Sequence, residues 1–302
     1  METPTPPISR EHEETQYLNL IRKIMTKGSL EPGRNGYTKS VFGEMMRFSL
    51  ANGQIPMLTT KRLAWKMCFR ELMFFIRGQT DNQILLDQNV HIWDLNSTRE
   101  FLDSRELHHY REGILGPIYG YQWRHFGAPY EHNTATPLDT NMGVDQLQQI
   151  IDALKDPNQR TSRRLIMSAW NPLQIDQMAL PPCHVLAQFN VRDGQYLSCS
   201  LYQRSGDVGL GVPFNIASYS FLTHLLAKHC DLIAEEFVYF LGNAHIYEEH
   251  IDALNTQIER EPLPFPKIRV EQKHESIEEY DLGDISFLEP YVSHPPIQMS
   301  MK

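Results

Sequence analysis

The sequence has 302 residues, a formal net charge of −9 and a pI of about 5.8. This acidic balance disfavours nucleic acid as a partner, because a protein that binds a duplex usually carries a basic face. With 41% hydrophobic and 22% charged residues, the chain has a globular composition, and its length suits one large domain or two small ones.

The cysteines and apolar runs bear on the compartment. Cys68, Cys183, Cys199 and Cys230 lie far apart, so the spacings of zinc ribbons and redox pairs are absent. A reducing compartment and no metal are therefore predicted. No apolar run reaches membrane-spanning length, and residues 1–15 lack the apolar core of a signal peptide. We expect a cytoplasmic protein, and leave entry into the nucleus open.

The chain shows one change of composition. Residues 1–15 are rich in Pro, Thr and Glu, which predicts a disordered segment. Residues 16–302 contain no repeat and no Gly/Ser linker, and are predicted to form a single domain. The polar stretch over about residues 130–141 is predicted to be a surface loop.

The segment from Lys61 to Arg77 has a helical pattern. Thr59 and Thr60 precede it as candidate caps, and Gly78 follows it as a stop signal.

Glu71 stands on the apolar side of this predicted helix. Desolvation there would raise the pKa of its carboxyl group toward the range of a general acid or base. The alternative is an ion pair with Arg62 or Arg70. The neighbours of Glu71 one turn away are Met67, Cys68, Phe74 and Phe75.

Two strands are predicted over 185–191 and 196–202, joined by the hairpin signal Asp193-Gly194. A two-residue turn would place Cys183 opposite Arg204. A neighbouring guanidinium favours the thiolate form of a cysteine, which is the nucleophilic form. A β-bulge would shift this register, and a free cysteine is more commonly a small buried apolar residue.

After the hairpin, Pro213 is predicted to open an apolar helix from Phe214 to about Cys230. The mixture of strands and helices predicts an α+β or α/β protein.

Several segments, in a fixed order, resemble one family. The signature segments are Leu180–His184, Gln188–Phe189, Leu201–Asp207 and Pro213–Tyr219. Further matching segments are Thr59–Arg62, Ile92–Asp94, Gly116–Gly120, Gln122–Arg124, Ser168–Asn171 and His245–Tyr247. Together they resemble the thymidylate synthase family from about residue 17 to residue 301. Gly206, Gly209 and Arg124–Gly127 resemble its eukaryotic branch.

The resemblance implies a homodimer in which large mixed sheets of an α+β fold pack back to back. It implies a methyltransferase that converts dUMP to dTMP with 5,10-methylenetetrahydrofolate and releases dihydrofolate. Cys183 would add to C6 of the uracil ring, and C5 would then capture the one-carbon unit of the folate.

The resemblance also implies three sets of site residues. The catalytic set is Cys183, Glu71, Tyr119, Arg204, Asp207, Asn171 and His184. The set for dUMP is Arg34, Arg163, Arg164, Arg204, Ser205, Asp207, Asn215, His245 and Tyr247. The set for folate is Lys61, Ile92, Trp93, Asn96, Asp207, Leu210, Gly211 and Phe214.

Within these sets the resemblance implies particular roles. Tyr119 would help to remove the C5 proton, and His245 with Tyr247 would bind the sugar 3′-hydroxyl. Arg163 and Arg164 would reach into the partner's site, although Arg160 could compete for this contact.

Asn215 would select the base. Its amide can donate to O4 of uracil and accept from N3–H, whereas related cytidylate hydroxymethylases tend to carry aspartate there. Unpaired buried polar groups would penalise the wrong base by roughly 1–3 kcal/mol.

The sequence departs from the family pattern at its end. Family members usually end in alanine-valine, whereas this chain ends Met299-Ser300-Met301-Lys302. Because closure excludes water from the reactive intermediate, we expect a weaker closure over folate and a slower hydride transfer. Three smaller departures are Phe74, Asn190 and Asn243, where tryptophan, tyrosine and aspartate are common.

Three other functions stay open from the sequence alone. A deoxyuridylate hydroxymethylase would use the same cysteine, with water replacing hydride in the last step. A catalytically inactive nucleotide- or RNA-binding homologue and a purely structural protein are the others.

Overall fold

The structure is a computed structural model that describes residues 11–33, 35–131 and 142–300. Residues 1–10 of the segment predicted to be disordered, and residues 132–141 of the predicted surface loop, lie outside the described residues. In the described part, no helix is both long enough and apolar enough to cross a membrane.

Helices and strands alternate irregularly along the chain. The helices are α1 (Thr15–Lys27), α2 (Trp65–Ile76), α3 (Gln83–Leu86), α4 (Arg99–Ser104), α5 (Tyr119–His125), α6 (Gln146–Lys155), α7 (Gly211–His229) and α8 (Ile251–Ile258). The strands are β1 (Ser29–Gly33), β2 (Gly36–Ser49), β3 (Ile166–Ser168), β4 (His184–Arg192), β5 (Tyr196–Asp207), β6 (Ile233–Tyr247), β7 (Ile268–Val270) and β8 (Ile285–Phe287).

A six-stranded sheet organises the fold, in the order β1-β2-β6-β5-β4-β3, and β7 and β8 form a separate pair. β5 and β6 run parallel, and the other neighbouring strands of the large sheet are antiparallel. The predicted mixed α+β class with a large mixed sheet is therefore confirmed.

The helix α7 connects the two parallel strands and crosses the inner face of the sheet. Parallel strands need such a crossover, because the end of the first strand and the start of the second lie at opposite edges of the sheet. α7 packs against β5, β6 and α2, and nearly all its residues are buried. As predicted, Pro213 lies in its first turn, where the missing N–H costs no helical hydrogen bond.

The outer face of the same sheet carries a row of exposed apolar side chains. Met45 on β2 is paired with Phe240 on β6, which is paired with Tyr202 on β5. These side chains are 41–51% exposed. We call Met45, Tyr202 and Phe240 the outer apolar row.

The β4–β5 hairpin differs from the prediction in its turn. Arg192 faces Tyr196, so Gln195 also belongs to the turn, and the register is shifted by one residue. A β-bulge between His184 and Leu186 reverses that shift. As a result the N–H of Arg204 donates to the carbonyl of Cys183 at 3.0 Å. The predicted two-residue turn was wrong, but the predicted pairing of Cys183 with Arg204 is confirmed.

The predicted start of α2 at Lys61 was also wrong, because this helix begins at Trp65. Thr59 and Thr60 do not cap it. Their N–H and hydroxyl groups donate to the carboxylate of Glu14 at 2.5–3.1 Å. Glu14 falls inside the segment predicted to be disordered, yet its side chain is fully buried. Glu14 is therefore part of the packed domain, although it precedes the predicted boundary at residue 16.

Candidate active site

Cys183 lies directly before β4, at the edge of the inner face of the sheet. Its N–H donates to the hydroxyl of Tyr119 at 2.7 Å, and its carbonyl accepts from Arg204. The residue is half-buried, whereas Cys68, Cys199 and Cys230 are buried, and none of the four forms a disulfide. Cys183 is therefore the cysteine that a small molecule can reach most readily.

The guanidinium of Arg204 holds the segment that leads into Cys183. Its Nε donates to the carbonyl of Pro182 at 2.8 Å, and one terminal nitrogen donates to that of Pro181 at 2.9 Å. The same group lies 5.6 Å from the ring centre of Trp170. The proline carbonyls and the indole thus fix the guanidinium beside the cysteine backbone.

Tyr119 is brought to this cysteine by α5. It is the first residue of that helix, and its ring stacks on Phe75 of α2 at a centroid distance of 4.8 Å. Burial strongly raises the pKa of its phenol, and the nearby Cys183 contributes in the same direction. The hydroxyl therefore keeps its proton near neutral pH, and can both accept and donate hydrogen bonds.

Glu71 lies on the buried side of α2, as predicted. The indole Nε1 of Trp93 donates to its carboxylate at 2.8 Å. Burial raises the pKa of Glu71 to about 7, and the bond from Trp93 opposes this rise. The alternative of an ion pair was wrong, since Arg70 donates to the carbonyl of Gln88 and Arg62 lies over the ring of Tyr291. A carboxyl group in this state can give or take a proton near pH 7.

Asn215 and His184 meet at the N-terminal end of α7. The amide nitrogen of Asn215 contacts Nε2 of His184 at 2.7 Å. Burial lowers the pKa of His184 to about 4, so its ring is neutral near pH 7. The amide oxygen of Asn215 accepts from Gln203 at 3.0 Å, a contact that the sequence reasoning did not anticipate.

Asn171 belongs to a buried network of amides. Its side-chain nitrogen donates to the amide oxygens of Gln122 and Gln174 at 3.1 and 2.9 Å. Gln122 in turn donates to the carbonyl of Pro117, which lies two residues before Tyr119. The described bonds of Asn171 thus support the loop that leads into α5, whose first residue, Tyr119, accepts from the N–H of Cys183.

Asp207 is the last residue of β5, and its carboxylate accepts from the N–H groups of Gly209 and Leu210 in the following loop at 2.8 and 3.3 Å. Lys61 is buried and donates to the carbonyl of Gly209. Burial lowers the pKa of Lys61 to about 8, and Asp207 opposes the shift. Tyr17 of α1 donates to the carbonyl of Val208 at 2.8 Å.

The C-terminal tail reaches the same loop. The sulfur of Met299 lies against Gly209, and the carbonyl of Ser300 is 2.9 Å from Nε2 of His250. Met301 and Lys302 lie outside the described residues, so the expectation of a weaker closure stays a prediction.

The other residues predicted for folate divide between two segments. Ile92, Trp93 and Asn96 lie between α3 and α4, and of these three side chains that of Trp93 is buried while the other two are half-buried. Leu210 and Gly211 lie at the start of α7, and Phe214 follows in its first turns.

His245 and Tyr247 lie on β6, with their rings 5.5 Å apart and nearly perpendicular. Nδ1 of His245 is 3.0 Å from the amide oxygen of Asn243. Parallel pairing of β5 with β6 places Ser205 beside Asn243 and Asp207 beside His245. The residues predicted for phosphate and for sugar thus follow one another along two neighbouring strands.

The predicted arginines lie in two places. Arg163 and Arg164 are exposed on the segment before β3. Arg160 instead donates to the carbonyls of Gly194 and Lys155 at 3.1 Å each, which commits it to contacts within this chain. Arg34 lies outside the described residues.

Comparison with known proteins identifies the family. The model of the family described as thymidylate synthase matches residues 15–302. The chain belongs to the thymidylate synthase family. The thymidylate synthases of Human herpesvirus 8 type P (isolate GK18) and Herpesvirus ateles are 50% and 49% identical over 96% of the chain, which covers 84% and 98% of their lengths.

Bifunctional dihydrofolate reductase-thymidylate synthases are similar as well. That of Leishmania major is 50% identical over 97% of the chain, but the chain spans only 56% of its length.

A half-buried thiol, a phenol and a buried carboxyl group come from three separate parts of the chain and lie near one end of the sheet. The sequence reasoning named all three, but it missed Glu14, Gln203 and Tyr239, whose bonds hold the neighbouring site residues.

Proposed function

We propose that the chain converts dUMP to dTMP, with 5,10-methylenetetrahydrofolate as the donor of both the carbon and the hydride. The single observation that carries this proposal is the meeting of Cys183 with Tyr119, whose hydroxyl accepts from the cysteine N–H at 2.7 Å. Family membership supplies the reaction class, and the geometry supports particular roles for the residues.

Cys183 is the nucleophile in this proposal. Its thiolate adds to C6 of the uracil ring, so that electron density moves toward C5 and O4. The Arg204 guanidinium holds the carbonyls of Pro181 and Pro182, and the Tyr119 hydroxyl accepts from the N–H of Cys183, so both groups keep the attacking residue in place. A half-buried thiol at the end of a strand can approach a bound ring without moving the sheet.

Glu71 and Tyr119 manage protons on opposite sides of the base. The carboxyl group of Glu71, with a pKa of about 7, can donate toward O4 as the cysteine adds, and take the proton back when it leaves. The phenol of Tyr119 lies closer to the cysteine, where it can orient a water molecule that accepts the C5 proton.

The dUMP molecule is proposed to lie along β5 and β6. Its base meets Asn215, its sugar meets His245 and Tyr247, and its phosphate meets Arg204 and Ser205. Guanidinium groups suit a phosphate dianion because their forked donors match two oxygens at once.

The groups around Asp207 fit a reduced folate. Trp93, Leu210 and Phe214 offer apolar surface for flat rings, and the Asp207 carboxylate offers an acceptor for ring N–H groups. When bound, the folate supplies a one-carbon unit and then a hydride. Lys61 and the tail residue Met299 fix the Asp207 loop from two sides.

The active unit is proposed to be a homodimer formed through the outer apolar row. Monomeric proteins rarely leave a contiguous apolar patch of this kind on an open sheet face. Two such sheets packed back to back would bury it. Arg163 and Arg164 are exposed, and would complete the phosphate site of the partner subunit together with that subunit's own Arg34 and Arg204.

The test mixes purified protein with dUMP and 5,10-methylenetetrahydrofolate. Dihydrofolate is followed by absorbance, and the nucleotide product is identified by mass. We expect dihydrofolate and dTMP in equal amounts, no product from Cys183→Ser, and near-normal turnover from the control Cys230→Ala. Hydroxymethyl-dUMP without dihydrofolate would instead identify a deoxyuridylate hydroxymethylase. Absence of turnover by the unmodified protein would refute both assignments.

A further inference from the structure

Behind the proposed base site, a chain of buried hydrogen bonds runs from the sheet to Asn215. The hydroxyl of Tyr239 donates to the amide oxygen of Gln203 at 2.6 Å. Gln203 donates to the amide oxygen of Asn215 at 3.0 Å, and Asn215 contacts Nε2 of His184 at 2.7 Å. None of these four side chains is more than 9% exposed. We call Tyr239, Gln203, Asn215 and His184 the amide relay.

The direction of the relay is set by groups that can only donate or only accept. The side-chain nitrogen of Gln203 also donates to the carbonyl of Ser205 at 2.9 Å, and a carbonyl cannot donate. The amide oxygen of Gln203 must therefore face Tyr239, whose hydroxyl supplies the donor it needs.

The same direction continues to Asn215. Because Gln203 presents N–H, Asn215 must turn its oxygen toward it and its nitrogen toward His184. A neutral imidazole can accept this bond, and burial keeps His184 neutral near pH 7. The orientation of the Asn215 amide is therefore determined by its neighbours before any ligand binds.

This orientation decides which base fits. Asn215 has one N–H and one oxygen lone pair left, which match O4 and N3–H of uracil. Cytosine presents an amino donor at position 4 and a bare acceptor at N3, so it would need the amide reversed. A relay that resists reversal therefore discriminates against cytosine.

We propose that Tyr239 is a specificity-determining positioning residue, whose hydroxyl, acting through Gln203, holds the Asn215 amide in the orientation that reads uracil. The inference rests on the proposed function, in which Asn215 contacts the base.

Tyr239→Phe is the discriminating substitution, because it removes one oxygen and leaves the ring, which stacks on Phe237 at 5.6 Å. The amide oxygen of Gln203 would then be buried without this donor, and only Ser205 would oppose rotation of the amide. Loss of one such bond predicts roughly a five- to tenfold weaker affinity for dUMP. Affinity for dCMP is expected to stay equal or to rise, so the dUMP preference falls by at least this factor.

The experiment measures dissociation constants of dUMP and dCMP by calorimetry on the full chain. The control is Tyr280→Phe, which also loses a buried hydroxyl, here one 3.4 Å from Nδ1 of His229 at the far end of α7. The preference of Tyr280→Phe for dUMP over dCMP should match that of the unmodified protein. If Tyr239→Phe does not fold, Gln203→Met tests the next link and should lower the preference further.

The possible results separate the two levels of the proposal. An unmodified protein that does not bind dUMP would refute the proposed function. An unmodified protein that prefers dUMP, beside a folded Tyr239→Phe (or Gln203→Met) with the same preference, would refute the amide relay alone. A fall in preference at Tyr239 but not at Tyr280 would support it.

Discussion

At the scale of single residues, burial in the site shifts the pKa of several groups away from its value in water. It raises the pKa of Glu71 to about 7, lowers that of His184 to about 4 and lowers that of Lys61 to about 8. In each case desolvation is the largest cause, since a charged group loses more hydration than a neutral one. The fold therefore gives up stability at these positions to obtain reactive groups.

Glu71→Gln should accordingly make the protein more stable but less active. The folded state keeps the Glu71 proton up to a pH of about 7, whereas the unfolded chain loses it near 4.5, so this residue costs stability as pH rises through that window. The gain from Gln should be absent below pH 4.5 and reach up to about 3 kcal/mol above pH 7. Turnover should fall by roughly 10²- to 10⁴-fold.

Urea unfolding of both proteins at pH 5 and pH 8, with turnover measured at each pH, tests this prediction. If the difference in unfolding free energy between the two proteins were the same at both values of pH, the pKa of the Glu71 carboxyl group would not be raised by folding.

At the scale of elements, α1 is tied to the loop that follows Asp207 by two routes. Tyr17 bonds to the carbonyl of Val208, and Glu14 holds the two threonines that precede Lys61, which bonds to Gly209. Glu14 and α1 thus take part in building the proposed folate site.

Glu14→Gln should loosen that loop. The amide of glutamine would turn an N–H group toward donors that now share a carboxylate. This predicts that the free energy of unfolding falls by about 2–4 kcal/mol. The KM for folate should rise several-fold, while the KM for dUMP changes little. Steady-state kinetics with each substrate varied measures the difference.

The matched control for this substitution is Glu13→Gln. Glu13 accepts from the N–H of Ser49 at 2.9 Å and from the side chain of Gln54 at 3.3 Å, and neither residue belongs to the site. Equal changes in both Michaelis constants for Glu14→Gln would mean that the segment stabilises the fold generally.

The elements also show what could be predicted from sequence. The hairpin was predictable because turn residues and strand patterns are local, and its pairing at Cys183 held only because a three-residue turn and a bulge offset each other. The bond from Thr59 to Glu14 spans 45 residues, and that from Tyr239 to Gln203 spans 36. No local pattern predicts contacts of this kind, so the role of Tyr119 rested on family resemblance, whereas the burial and raised pKa of Glu71 followed from its place on the apolar side of a predicted helix.

At the scale of the whole molecule, buried histidines should make the fold sensitive to acid. Nε2 of His224 bonds to the carbonyl of Gln54 at 2.9 Å, and burial lowers its pKa to about 4. The unfolded chain binds this proton near pH 6.5, so stability is lost as pH falls from 6.5 toward 4. The loss at this residue should reach up to about 3 kcal/mol.

The substitution His224→Gln isolates this contribution, because glutamine can still donate to a carbonyl but does not titrate. The difference in unfolding free energy between the unmodified protein and this variant should change with pH between 6.5 and 4. A constant difference would contradict the prediction.

The proposed dimer also belongs to the scale of the whole molecule, because each site would need residues from both protomers. Cys183→Ser should be inactive, and the double variant Arg163→Ala, Arg164→Ala should be severely impaired. Subunits exchanged between the two by mild denaturation and refolding would form heterodimers in which one site has every residue intact. Since half the dimers would be mixed, with one intact site in each, roughly a quarter of the original activity should return.

Each variant carried through the same exchange by itself is the control, and should gain nothing. A further variant, Phe240→Glu in both chains, should prevent the recovery, because a carboxylate in the outer apolar row could not be buried between two sheets without a partner charge. If activity failed to return although the chains form dimers, the arginines would belong to the site of their own protomer. If sedimentation showed the unmodified protein to be a monomer, the outer apolar row would need a different occupant.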